Sequence, residues 1–347
     1  MSSPRAAITA IATFTALVAL ASATTFASAA GSQATYGAPK EGAKVTLADT
    51  SIDGPAIMAT YSPATVIAWS GTDSLHHLNL MTSSDGLHYG NKITLPDYSP
   101  WRPAVAFIDS GRGAPYGTIA LAWTGADARH SLNLEFISMP GYKVTQKITF
   151  WGETSFTAPA ITTINGDINS DVYLSWAGTD RAHSLNVIHR TTNPVTQSKT
   201  TFWGWSSISR PNLMTDLSGQ SPSLLLSWTG TNNRIHYATA PFGAHWTEPT
   251  TSPLSMTTAW APSMIGFSST TQSTHWLAWT GSGSTSTHSV TVMNTSLGWD
   301  DPDGKTMLSE LAISSPALAY NGASTSVLFA WTGVDPAHHL NVAVVGV

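Results

Sequence analysis

Short, β-branched apolar runs such as Val66-Ile67-Ala68-Trp69 and Val327-Leu328-Phe329-Ala330-Trp331 punctuate the chain, and each ends in a tryptophan followed by a small residue and a glycine. Runs of this length and composition read as buried strands. Aligned on Trp69, Trp123, Trp176, Trp228, Trp279 and Trp331, they lie 54, 53, 52, 51 and 52 residues apart. That period suits one four-stranded propeller blade and exceeds an ankyrin or leucine-rich repeat. Each unit has the same order. A Pro-led apolar segment comes first, as in Pro55-Ala56-Ile57, Pro159-Ala160-Ile161 or Pro316-Ala317-Leu318, with proline at a strand start where no ladder donor is lost. The Trp strand follows, then a Gly-containing turn and a third strand such as His183-Ser184-Leu185-Asn186-Val187. A more polar fourth strand, as in Lys92-Ile93-Thr94-Leu95, ends the unit.

The sixth unit stops after its third strand, because the sequence ends at Val347 soon after Leu340-Asn341-Val342. The matching fourth strand stands at the other end, where Lys44-Val45-Thr46-Leu47 precedes the first Pro segment. A strand borrowed across the ring closes a circle and removes open sheet edges, which an open solenoid would not require. The expected fold is therefore all-β: a six-bladed β-propeller over residues 44–347, its last blade closed by an N-terminal strand.

Composition narrows the function classes. Among 347 residues 42% are hydrophobic and only 10% charged, with 15 Lys and Arg against 20 Asp and Glu, a net charge of −5. Such a chain can bury a core and lacks the signature of disorder. No Lys/Arg run offers a stripe for phosphates, so no nucleic-acid partner is expected. The absence of cysteine excludes disulfide scaffolds, zinc knuckles, thiol catalysis and lipid-modified cysteine.

Residues 1–29 read as a secretory signal peptide: Arg5, an apolar stretch from Ala6 to Leu20, and the small-x-small triplet Ala27-Ser28-Ala29. A short segment, 30–43, precedes the propeller. No later stretch is long and apolar enough for a membrane span, so an extracellular location is expected.

Four units repeat the pattern W-[STA]-G-x-D-x-x-H-x-L-N on the turn between the second and third strands. It supplies Asp73, His76 and Asn79; Asp127, His130 and Asn133; Asp180, His183 and Asn186; and Asp335, His338 and Asn341. In the fourth unit Asn232 and Ile235 stand in for Asp and His, and the fifth inserts residues around Gly283 to His288. Two readings of the set stay open. Asp can cap the turn through the backbone while His and Asn satisfy buried amides, or each set can line a ligand pocket at a blade junction. Metal binding is a third, against which adjacent pairs such as His76-His77 face opposite sides of a strand.

Trp101, Trp151, Trp203, Trp205 and Trp260 are assigned to the blade-to-blade connections, near Arg102 and Arg210. Indole faces suit the C–H face of a pyranose, and neighbouring polar groups suit its hydroxyls. Reuse of one motif around a ring favours binding over catalysis, with weak sites made effective by number. Glycans or polysaccharide are thus the expected partner, with no cofactor, and with calcium left open as an aid. Oligomeric state is not legible.

Ser83-Ser84-Asp85-Gly86-Leu87-His88-Tyr89 resembles the Asp box of the sialidase superfamily, one residue short of S-x-D-x-G-x-x-W and ending in Tyr89. The repeats of residues 44–347 also resemble the W-T-G-T-D-x-x-H-x-L-N-V repeats of secreted bacterial sialidase-like or lectin-like propellers. The resemblance implies the fold. It also implies a rival function, a glycoside hydrolase with one axial pocket, since sialidases hold the substrate carboxylate with three arginines. Among the arginines here only Arg102, before Pro103, stands in a suggestive place, and Arg210 occupies the same place in another unit. The five glutamates after the signal segment (Glu41, Glu135, Glu153, Glu248, Glu310) sit in no recognisable catalytic setting. A protein-interaction scaffold is the third alternative.

Overall fold

The computed structural model describes residues 39–60, 65–109, 117–165, 170–192, 194–216, 223–241, 245–251, 257–268, 273–281, 288–294, 304–320 and 326–346. The signal-peptide assignment lies outside them. The described residues form six four-stranded antiparallel sheets, the six blades of an all-β propeller.

Strand β1 is Lys40–Thr50. Blade 1 holds β2 (Ala56–Ala59), β3 (Thr65–Ser70), β4 (His77–Ser83) and β5 (Tyr89–Tyr98), and blade 2 holds β6 (Ala104–Asp109), β7 (Gly117–Thr124), β8 (Ser131–Met139) and β9 (Lys143–Thr154). Blade 3 follows with β10 (Ala160–Asn165), β11 (Ser170–Ala177), β12 (Ser184–Thr191) and β13 (Gln197–Ser206). Blade 4 has β14 (Asn212–Asp216), β15 (Ser223–Thr229), β16 (Ile235–Pro241) and the two-residue β17 (Thr250–Thr251). Blade 5 has β18 (Ser263–Ser268), β19 (Ser273–Thr280), β20 (Ser289–Asn294) and β21 (Lys305–Leu311), and blade 6 has β22 (Ala317–Tyr320), β23 (Val327–Thr332) and β24 (His339–Gly346). As expected, β1 completes blade 6, pairing with β24 in a register that sets Lys44 opposite Ala343 and Thr46 opposite Asn341. It begins at Lys40, inside the segment assigned above to residues 30–43.

The core is divided among the blade junctions. Each repeat tryptophan packs against the blade before its own: Trp123 among Leu78, Leu80 and Val105, and Trp331 among Trp276, Val290 and Leu318. Burying an indole removes about 200 Å² from water, a gross gain of about 5 kcal/mol at about 25 cal/mol per Å². The fourth-strand lysine of the same blade then caps the ring. Lys44 lies over Trp331, Lys92 over Trp69, Lys147 over Trp123, Lys199 over Trp176 and Lys305 over Trp279, with the ammonium 5.1–5.5 Å from the ring centroid. Four of these lysines also pair with an acid on the preceding blade's fourth strand: Lys92 with Asp49 and Lys44 with Glu310 at 2.5 Å, Lys147 with Asp97, and Lys199 with Glu153.

One junction departs from this scheme. The described part of blade 4 brings no fourth-strand lysine to Trp228, and blade 3 carries Trp205 six residues after Lys199, where blade 2 carries Glu153 six residues after Lys147. Trp205 instead stacks on Trp228, with centroids 5.4 Å apart and planes 10° apart, and on Phe202 at 4.4 Å. An aromatic stack replaces the cation and its carboxylate together.

Candidate functional site

A blade's first and third connections lie on one face. Its second turn lies on the opposite face, together with the link to the next blade, and that is the face carrying the repeated motif. In blade 1 the Asp73 carboxylate accepts from the Leu75 amide (3.1 Å), the His77 amide (3.1 Å) and His77 Nδ1 (2.8 Å). Asp127 accepts from the Arg129 and Ser131 amides, both at 3.0 Å, and from the Ser131 hydroxyl at 3.1 Å. Asp180 and Asp335 repeat the arrangement with Ala182 and Ser184, and with Ala337 and His339. Burial pushes the carboxyls of Asp73, Asp127 and Asp335 upward, yet these donors outweigh it and hold all three below the usual carboxylate range.

The asparagines are buried struts. Asn79 Nδ2 donates to the His77 carbonyl at 2.7 Å, and the Thr94 hydroxyl of the fourth strand donates to its Oδ1 at 2.7 Å. Asn133 with Thr149, Asn186 with Thr201 and Asn341 with Thr46 do the same. Asp and Asn therefore serve the turn and the sheet.

The histidines differ. His76, His130, His183 and His338 stand at φ between 50° and 61°, the left-handed region where histidine is among the tolerated side chains. Their backbones seal the ring: the carbonyls accept the amides of Ser99, Ser155, Ser207 and Ser51 at 3.0–3.3 Å. The hydroxyls of those serines donate onward to carbonyls of the next blade, Ser99 to Thr124 and Ser155 to Ala177 among them. The Nδ1 of His76, His130 and His183 reaches the carbonyl of the motif glycine at 3.1–3.4 Å. That leaves the far side of each ring at the half-exposed surface of a blade junction.

Blade 4 keeps this framework with a shorter turn, which corrects the alignment made from sequence. Ile235 does not take the histidine's place. Asn233 does, at φ 60°, its carbonyl accepting the Thr258 amide at 3.0 Å. His236 replaces the strut asparagine, between Asn232 at 3.2 Å and Thr251 at 3.1 Å. In blade 5, His288 fills the histidine position, and its carbonyl accepts the Ala312 amide at 2.9 Å. A two-residue shortening in blade 4 and a two-residue lengthening in blade 5 hid these equivalences from a count made from the tryptophan.

The tryptophan candidates fall into three groups. Trp101 and Trp260 lie in connections, as expected. Trp101 meets His130 of the next blade edge-on at 5.0 Å, and Trp260 meets His288 at 5.9 Å. Phe156, which the sequence reading passed over, meets His183 at 3.9 Å in the same way. Three links thus present an aromatic ring to a histidine of the following blade, at junctions 1/2, 2/3 and 4/5. Trp151 and Trp203 are not in connections. They occupy matching places on the outer strands β9 and β13, 72% and 80% exposed, because the strand runs on past the buried Phe150 and the half-buried Phe202. Trp205, also on β13, belongs to the stack at the 3/4 junction.

Arg102 and Arg210 do not join the junction sites. Both line the mouth of the axial channel, a cavity of about 580 Å³ walled chiefly by the innermost strands. Arg102 Nη1 donates to the carbonyls of Ser315 at 2.9 Å and Pro316 at 3.2 Å, reaching past blade 1 to the link entering blade 6. Burial, and then the charge of Arg210, lowers its pKa well below the ordinary value against the pull of Asp53. Burial pushes Arg210 down to about 10. Among the described residues, no Asp or Glu lines the channel, and no three His, Asp or Glu side chains gather where they could hold a metal ion.

Ser83 to Tyr89 form the turn between β4 and β5. The Ser83 hydroxyl donates to Asp85 Oδ1 at 2.9 Å, that oxygen accepts the amides of Leu87 and His88 at 2.9 and 2.8 Å, and Gly86 stands at φ 80°.

No protein-family model matches the chain, and no curated protein sequence matches it. Solved structures do. An arginine-to-alanine triple mutant of AofleA from Arthrobotrys oligospora aligns over 86% of this chain and 84% of its own, at a TM-score of 0.60 and 9% identity. The subtype N11 neuraminidase-like protein of A/flat-faced bat/Peru aligns over 90% of this chain and 94% of its own, at a TM-score of 0.54 and 8% identity. At such identities the likeness is one of fold.

Proposed function

We propose that this protein is a secreted, multivalent carbohydrate-binding propeller whose sites lie at the blade junctions of the histidine-turn face. The observation that carries the reading is the threefold recurrence of a half-exposed aromatic ring against a histidine of the next blade: Trp101 with His130, Phe156 with His183, and Trp260 with His288. Each pair offers an apolar ring face beside an imidazole already oriented through its backbone, a combination suited to the C–H face and hydroxyls of a sugar. In the remaining candidate sets, His76 and His338 provide the imidazole alone. Asp73, Asp127, Asp180 and Asp335, with Asn79, Asn133, Asn186 and Asn341, hold the turns in place. The fold likeness to a neuraminidase-like protein is in keeping with a glycan as ligand. Secretion rests on the N-terminal sequence.

A hydrolase working in the axial channel is the second reading, favoured by the cavity and its two buried arginines. Glycoside hydrolysis ordinarily uses two facing carboxyl groups, and the described lining offers none. A glycan array probed with the mature protein, with and without calcium, tests both readings when the supernatant is assayed for released monosaccharide. Binding without release supports the lectin reading. Release replaces it with the hydrolase, and silence in both arms leaves an interaction scaffold.

A further inference from the structure

The 3/4 junction is built differently from the others, and the difference leaves a hole. Trp228 is capped by Trp205 where other blades use a lysine, and among the described residues β17 contributes two residues to the sheet. Blade 4 also faces blade 3 with the small side chain of Ala240. Four residues past the strut position, where blade 4 has Ala240, blade 2 has Ile137 and blade 6 has Val345, and both of those fill their junctions. A cavity of about 190 Å³ opens here on the face opposite the histidine turns, bounded by Tyr173, His189, Ser198, Thr200, Ala240 and Trp246 among others.

Its lining is specific. Tyr173 and His189 stack in parallel, centroids 4.4 Å apart and planes 3° apart, forming one wall. Trp246 forms another, held edge-on by Phe202 at 5.6 Å. His189 Nε2 is itself buried, 3.5 Å from the Asp171 carboxylate, so the residue presents its ring and not this nitrogen to the space. The described lining has no Lys, Arg, Asp or Glu, which points to a neutral ligand. At about 30 Å³ per water the space equals about six waters, enough for one sugar ring and too little for two.

We infer that this junction is a second kind of ligand site, present once per chain, that takes a single neutral sugar ring between the Tyr173–His189 stack and a ring face of Trp246. The inference shares the ligand class of the reading above and does not depend on the histidine-turn face. The test is calorimetric and fluorescence titration with methyl glycosides of glucose, galactose, mannose, fucose and N-acetylglucosamine. Three proteins are compared with the parent: Trp246→Ala; Ala240→Ile, which fills the cavity while keeping every polar group; and a Trp101→Ala/Trp260→Ala double variant. Circular dichroism and melting confirm that each is folded.

Expected is one binding event per chain that weakens at least tenfold in Trp246→Ala and in Ala240→Ile and persists in the double variant. Should that event persist in both junction variants, the inference is overturned, and binding lost only in the double variant would leave the turn-face reading standing alone. Loss in the junction variants with no effect of the double variant sustains the inference and removes the Trp101 and Trp260 sites from the other reading. A parent protein that binds none of the five glycosides contradicts the inference while leaving larger glycans to the array.

Discussion

Replacing Asn133 by alanine isolates the strut that ties the start of β8 to β9 in blade 2. Two hydrogen bonds disappear, Nδ2 to the Ser131 carbonyl at 2.9 Å and the Thr149 hydroxyl to Oδ1 at 2.7 Å. Neither partner is orphaned. The Ser131 carbonyl still accepts the Gly125 amide at 2.8 Å, and the half-exposed Thr149 hydroxyl can turn to water. The loss is therefore two net hydrogen bonds of about 1 kcal/mol each, without a further desolvation penalty. About 2 kcal/mol corresponds to a fall in Tm of about 4–6 °C for a domain somewhat smaller than this one. Urea unfolding at neutral pH, followed by tryptophan fluorescence, measures the difference, and calorimetric scanning checks it. Asn133→Asp should cost more, because it keeps the size of the side chain but sets a carboxylate oxygen beside the Ser131 carbonyl. A loss below about 0.5 kcal/mol, or an Asp variant as stable as the Ala variant, would show that the strut carries none of the energy assigned to it.

Asp127→Ala should cost less than about 1 kcal/mol in the same assay, since the carboxylate is exposed and water can take the place it vacates beside the Arg129 and Ser131 donors, and the number of bound sugars should not change. Glu135 gives a pH signature. Burial first, then a carboxyl–carboxyl hydrogen bond and the charge of Asp97, raise it from 4.5 to about 7 against the pull of Lys147. The folded state therefore binds this proton more tightly than the unfolded chain does. Its contribution is fully present below about pH 4.5 and is lost as pH rises through 7, at no more than about 1.4 kcal/mol per unit. Urea midpoints from pH 4.5 to 7.5 should fall more steeply in the parent than in Glu135→Gln. Gly54→Ala should destabilise by about 1–3 kcal/mol, because the added Cβ would lie 2.2 Å from the Ser315 carbonyl oxygen and 3.0 Å from Arg102 Nη1 at the channel mouth. A Tm equal to the parent's would mean that the mouth is loosely packed.

The architecture was legible because its signal is redundant. Six tryptophans at nearly equal spacing give the blade length, and a Lys-Val-Thr-Leu segment at the wrong end of the chain gives the closure. The site was legible in part. Asp, His and Asn at fixed offsets mark the turn, but the offsets do not say that Asn79 and its counterparts spend both ends of the amide inside the blade. Nor do they show that the histidine is the member left facing the junction. Trp151 and Trp203 look like connection residues because glycine follows each one, yet the outer strand continues through that glycine. Arg102 and Arg210 sit beside connection residues in sequence and turn inward to the axis, a direction that no local pattern encodes. The lysine relay was visible only as a repeated Lys-x-Thr. Its meaning depends on an acid five or six residues later that pairs with the next blade, a contact between units that single-unit reading cannot supply.

The most direct test of carbohydrate binding at the histidine-turn junctions is calorimetric stoichiometry with the glycan that the array selects. It compares the parent with a Trp101→Ala/Phe156→Ala/Trp260→Ala variant shown to be folded. Loss of three sites per chain, with any site at the 3/4 junction retained, is the expected result. An unchanged number of bound glycans would contradict the placement of the sites.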